Sequence, residues 1–121
     1  MLEILDQTHG DVVGVKVAGK LTDDDYKKVL IPKIEDILER EGSVRILMLF
    51  DGFSGWEARA AWDDAVFGLK HRKDFTRLAL VGAPDYVEWG MRLFAPLMPG
   101  QTKSFASDQA AEAWAWIKAD G

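Results

Sequence analysis

Chemistry in this chain would have to come from scattered carboxylates, two histidines and a large share of tryptophan, because its 121 residues include no cysteine. Asp51 and Glu57 flank a glycine-containing stretch and could form the carboxylate pair that general acid and base work requires. Asp63 and Asp64 are adjacent, so on a helix their side chains diverge by about 100° and do not converge on one substrate. His71 stands in the most basic run, beside Lys70, Arg72, Lys73 and Asp74. Cations there complement the negative end of a helix dipole; the alternative is a pocket for an anionic ligand. His9 and His71 are far apart and give no metal-binding spacing, and the acidic run 23–25 reads as a solvated helix start. No nucleophile stands with a base and no glycine loop matches a nucleotide motif, so the expectation is a protein that is not an enzyme, with no metal and no cofactor.

The five tryptophans divide by position. Trp62, Trp89 and Trp114 fall on core-facing stripes and are expected to pack inward, whereas Trp56 and Trp116 fall off them and are candidates for a contact surface. Residues 89–99 carry more apolar side chains than one helical face buries. Met91, Phe94, Leu97 and Met98 are therefore expected at a homodimer interface, with a lipid or membrane-surface patch or the wall of a ligand cleft as alternatives.

At 48% hydrophobic and 29% charged residues the composition is that of one folded domain spanning residues 1–121. The net charge of -5 gives no excess of positive surface for a phosphate backbone, so nucleic acid is not an expected partner. The longest uncharged run, residues 93–102, is broken by two prolines and falls short of the roughly 18 apolar residues of a membrane span. The first residues lack the basic and apolar regions of a signal peptide, which points to the cytoplasm.

Hydrophobic period supplies the elements. Leu2 and Ile4, then Val13, Val15 and Val17, alternate with small or polar residues and predict an opening antiparallel hairpin. Thr22 and Asp25 form a near capping box before a helical stripe of Tyr26, Val29, Leu30, Ile34, Ile37 and Leu38, kinked or broken at Pro32 and ended by Gly42. Residues 44–50 read as a central strand and residues 51–55 as a loop. Next comes a helix with Ala58, Ala61, Trp62, Ala65, Val66 and Leu69 on its inner stripe, then a strand over 78–81. A helix after Pro84 follows, with Tyr86, Trp89, Leu93 and Phe94 as the inward candidates, then an edge strand over 103–105. Ser107 is expected to cap a last helix bearing Ala110, Ala113, Trp114 and Ile117. Strands joined by helical crossovers run parallel. The expectation is an α/β fold: a mostly parallel sheet of about five strands, an opening antiparallel hairpin and about four helices.

That order resembles the STAS domain, and in particular the SpoIIAA-like family of small bacterial proteins. The residues that carry the resemblance are Leu49-Phe50-Asp51, Phe53-Ser54-Gly55-Trp56, the run His71 to Phe75 before Arg77-Leu78-Ala79-Leu80-Val81-Gly82, and Phe105 with Glu112-Ala113-Trp114. The related anti-sigma-factor antagonists carry a serine near a helix N-terminus that a partner kinase phosphorylates. Ser54 lies in a comparable place but follows Phe53 rather than an aspartate. Its plainer role is to cap the helix or shape the turn. The resemblance implies a non-catalytic regulatory or protein-interaction module. Its working surface is expected at the strand C-termini, built from Phe53, Ser54, Trp56, Glu57 and Arg59. The alternative is a carrier or sensor of a small lipophilic or anionic ligand held between residues 53–56 and 89–98.

Overall fold

The computed structural model describes residues 1–119. Five strands form one sheet in the order of the sequence: β1 (Leu2–Ile4), β2 (Val12–Leu21), β3 (Val44–Trp56), β4 (Phe75–Val81) and β5 (Gln101–Phe105). β1 pairs with β2 antiparallel, and every other neighbour is parallel, as the crossovers require. Four α-helices accompany them: α1 (Ile31–Glu41), α2 (Ala58–Lys70), α3 (Asp85–Phe94) and α4 (Ala110–Lys118).

The topology decides which face each helix covers. Three successive crossovers each step one strand further in the same direction, and right-handed connections then put α1, α2 and α3 on one face. α4 is left to cover the other. The core divides accordingly. Val13, Val15, Val17, Ile46, Phe50 and Leu80 face the three-helix side together with Tyr26, Ile34 and Ile37. Val12, Leu47, Ala79, Val81 and Phe105 face Ala113 and Ile117 of α4. Alternation along β3 sends even-numbered residues from Val44 to Phe50 to one face and Leu47 and Leu49 to the other.

The Thr22–Asp25 pair is a reciprocal cap: the Asp25 carboxylate accepts from the Thr22 amide at 2.9 Å, and the Thr22 hydroxyl from the Asp25 amide at 3.1 Å. Pro32 occupies the first turn of α1, and the turn before it, Asp25–Leu30, widens to π-helical geometry. Proline has no N–H to continue the ladder and its ring crowds the preceding turn; widening that turn accommodates both.

Several expectations need correction. Residues 51–55 are not a loop: β3 continues through them to Trp56, pairing only with β2 across register shifts. Backbone freedom makes this possible, since Gly52 and Gly55 adopt φ of 62° and 113° and bend the ribbon while it stays paired. β4 and β5 begin earlier than the apolar runs suggested, at Phe75 and Gln101. The cap before the last helix is Ala106 rather than Ser107, because the Gln109 side chain reaches back to accept from the Ala106 amide at 2.8 Å.

α4 is fixed by a buried guanidinium. Arg77 is 8% exposed and its Nη1 donates to the carbonyls of Trp116 (2.7 Å) and Ala119 (2.6 Å) at the helix end, while its carbon centre lies 5.4 Å from the Trp116 ring. Arg45, paired bidentately with Asp11, adds a third bond to Ala119 at 2.9 Å. Arg77→Met keeps the aliphatic stem but removes two charge-assisted bonds, leaving the Ala119 carbonyl to Arg45 and the Trp116 carbonyl to the Ala119 amide, and a stability loss of about 1.5–3 kcal/mol is expected in urea unfolding.

Candidate functional site

Between the three-helix face of the sheet and the pair α2 and α3 lies a cavity of about 480 Å³. Its floor is Val15, Ile46, Met48, Phe50, Leu78 and Leu80, residues the pleat already directs to that side. α3 contributes Val87, Met91 and Phe94 from its inner stripe, and α2 contributes Phe67 and Gly68. The Phe94 ring lies over Gly68, 3.7 Å from where a Cβ would stand, an ordinary packing distance. Leu69, Leu93 and Leu97 line the cavity while remaining exposed, so they form its solvent-facing rim.

At one end the lining turns polar. Trp56 Nε1–H donates to the Tyr26 hydroxyl at 2.7 Å, and that hydroxyl donates to Asp64 Oδ1 at 3.0 Å. The three residues come from the end of β3, the turn after β2, and the inner side of α2. Phe53 and Tyr86 close around them, with Phe53 and Trp56 edge to face at 4.9 Å and Phe53 and Tyr86 stacked at 6.4 Å. The bulged extension of β3 is what carries Phe53 and Trp56 here.

Desolvation of the Tyr26 phenol, 1% exposed, pushes its pKa far above the ordinary value, reinforced by the Asp64 charge. It stays a neutral donor. Asp64 as a residue still reaches solvent at the rim, yet the surrounding cavity wall crowds its carboxyl and raises its pKa from 3.8, with the Tyr26 hydrogen bond opposing. The sign follows. Below pH 3.8 the group is protonated in folded and unfolded chain alike; as pH rises through the higher folded value, ionisation costs more in the native state. Asp64→Asn, which keeps an acceptor for Tyr26, is expected to melt higher than the parent at neutral pH, the gain vanishing below pH 3.8. Thermal unfolding at a series of pH values checks this.

The adjacent Asp63 diverges as expected and faces Asp23, and the interaction of the two carboxyls raises the pKa of Asp63 and lowers that of Asp23; Lys27 pairs with Asp23 at 3.1 Å. Among the described residues no group of histidine, aspartate and glutamate could hold a metal ion.

The structure brings together Phe53, Trp56, Met91 and Phe94 of the residues singled out from sequence. Ser54 is exposed on the β3 extension and caps nothing, because Glu57 is the residue before α2. Glu57 and Arg59 are exposed beside it. Asp51 pairs with Lys16 at 3.3 Å. His71 lies at the end of α2, its Nδ1 2.8 Å from Asp74 and its ring 4.6 Å from Phe67, outside the cavity lining. Trp62 and Trp89 do not pack inward: they are 70% and 63% exposed. Met98 is buried and Met91 and Phe94 are half-buried, so of the four residues assigned to an interface only Leu97 is exposed.

Sequence reasoning missed Asp64 as a partner of Tyr26. The available signal was the pattern 60, 63, 64, 67, 68 and 71 on α2, a helical stripe one or two residues out of phase with the more apolar one.

A model of the SpoIIAA-like family matches residues 12–118. Among solved structures, the chain is similar to an uncharacterized protein of the DUF3478 family with a SpoIIAA-like fold from Shewanella loihica PV-4. The two share 31% identity over 96% of this chain and 93% of that one, with a TM-score of 0.77. No curated protein matches.

Proposed function

The chain belongs to the SpoIIAA-like family, and on that footing we propose that it is a non-catalytic binding module whose cavity takes a small lipophilic molecule. The observation that carries this reading is the cavity itself: about 480 Å³, within the roughly 300–1,000 Å³ of small-molecule sites, with an apolar floor and a few polar groups gathered at one end. A non-catalytic role fits the polar groups, which are two phenols, an indole N–H and one carboxylate, because the phenol beside the carboxylate, Tyr26, is held protonated by burial. Of the two ligand classes considered, the lipophilic one is favoured over the anionic, because the charged side chain in the lining is itself an anion. Among the described residues no helix is long and apolar enough to cross a membrane.

A second reading rests on a separate observation. Trp62 and Val66 on α2 and Trp89 on α3 are exposed apolar residues outside the cavity lining, which favours a protein partner or a second copy on those outer faces.

Native mass spectrometry of protein purified without refolding from the cells that make it tests both. The expected spectrum carries a small added mass that disappears on denaturation. A bare chain that also fails to take up a ten-carbon lipophilic probe overturns the ligand reading, and a bare, tight dimer supports the second. Added phosphate mapping to Ser54 would instead support a phosphorylation switch.

A further inference from the structure

We infer that the cavity selects lipophilic molecules whose polar end is a hydrogen-bond donor, an amine or an alcohol, over those that end in a carboxylate or phosphate. This rests on the ligand reading above and names the class of ligand. The argument is an inventory of the polar atoms in the lining.

Trp56 Nε1 has one proton and gives it to Tyr26. Tyr26 has one proton and gives it to Asp64 Oδ1, so neither residue has a donor left for a ligand. Tyr86 has a hydroxyl that can rotate to donate or accept and does not discriminate. What remains is Asp64: Oδ1 has an open lone pair, and among the described residues Oδ2 receives no hydrogen bond. No lysine, arginine or histidine lines the cavity. Beyond their first turns, the backbone N–H groups of α2 and α3 are committed within those helices.

The dipoles point one way along the chain, from indole to phenol to carboxylate, and deliver acceptor character to the cavity's polar end. A donor head meets a charge-assisted acceptor there. A carboxylate or phosphate head meets like charge, and of the lining side chains only the Tyr86 hydroxyl at the rim has a proton left to donate to it. Asp64 lies at the solvent-reaching rim, so a charged head keeps part of its hydration while the apolar tail lies along Met48, Phe50 and Leu80.

Isothermal titration at pH 7 with decan-1-amine, decan-1-ol and decanoate, each below its micelle-forming concentration, reads the head preference at constant tail. Hexylbenzene serves as a headless control. The amine is expected to bind about tenfold or more tightly than decanoate, with the alcohol between them. Asp64→Asn is expected to collapse that gap, and Asp64→Lys to invert it. Decanoate binding as tightly as the amine overturns the inference, as does a gap that persists in Asp64→Asn. If hexylbenzene binds while the three heads do not differ, the head assignment fails and the ligand reading stands. If none of the four binds, the ligand reading fails with it.

Discussion

Tyr26→Ala is expected to lower the free energy of unfolding by about 3–5 kcal/mol, the range for emptying a buried aromatic site. Tyr26 is 1% exposed and among the largest fully buried side chains, packed in the same core as Ile34, Ile37 and the inward valines of β2. Its ring is one part of the loss. Its hydroxyl is the other, since among the described residues it is what links the indole of Trp56 on β3 to Asp64 on α2. Tyr26→Phe separates the two contributions. It retains the ring, strands the Trp56 donor and frees Asp64, and is expected to cost about 1–3 kcal/mol. Urea unfolding of the three proteins with equal m-values gives the numbers directly. If Phe is as damaging as Ala, the hydroxyl chain rather than the ring holds α2 in place; if Phe is neutral, the chain contributes nothing and α2 is held by the cavity wall alone.

The same residue shows what was legible in the sequence. Tyr26 opens a stripe that continues through Leu30, Ile34 and Ile37, and all four are buried. α1 has one apolar face and one polar face, so period alone identifies the side that packs. α2 and α3 are different: they are apolar on both sides. On α2 the more apolar stripe, with Trp62, Val66 and Leu69, turns out toward solvent and the rim, and the inner side carries Ala60, Asp64, Phe67 and Gly68. On α3 the phase error is about one residue, or about 100° of rotation: Phe94 faces the sheet as expected, but Val87 and Met91 join it in place of Tyr86, Trp89 and Leu93.

The two misread helices are the ones that wall the cavity, and one physical cause accounts for both facts. A helix packed directly on a sheet needs a continuous apolar inner stripe. One that spans a hollow needs less, and can hold small residues and a carboxylate there. The parallel run of β2 to β5 was legible because helical crossovers require it, and the extension of β3 was not, because glycines at 52 and 55 read as a turn when they permit a bulged strand. The polar chain at the cavity end was illegible because it joins three elements 30 and 38 residues apart in sequence through single side-chain contacts.

On the opposite face, Gly14→Val is expected to cost about 3–5 kcal/mol, as much as emptying a tryptophan site. Gly14 lies mid-strand in β2, buried between Val13 and Val15, and pairs with Leu47 of β3. The six-membered ring of Trp114 rests where a side chain at position 14 would begin, its Cζ2 within 2.8 Å of an added Cβ. No rotamer of valine avoids that ring, because the conflict is at Cβ itself. The indole must therefore leave, giving up its contacts with the α4-side core and with Lys118, whose ammonium lies 5.1 Å from the ring. The β2 backbone cannot yield instead, since it is paired on both edges at this point, with β3 through residue 47 and with Leu5 through the Gly14 carbonyl at 2.8 Å. Combining Gly14→Val with Trp114→Ala removes the conflict, and the double variant is expected to be more stable than the sum of the two single losses predicts. Strict additivity in that cycle would mean that the indole does not occupy the space above Gly14. A coupling of 1–3 kcal/mol would establish that this glycine exists to seat the tryptophan that anchors α4.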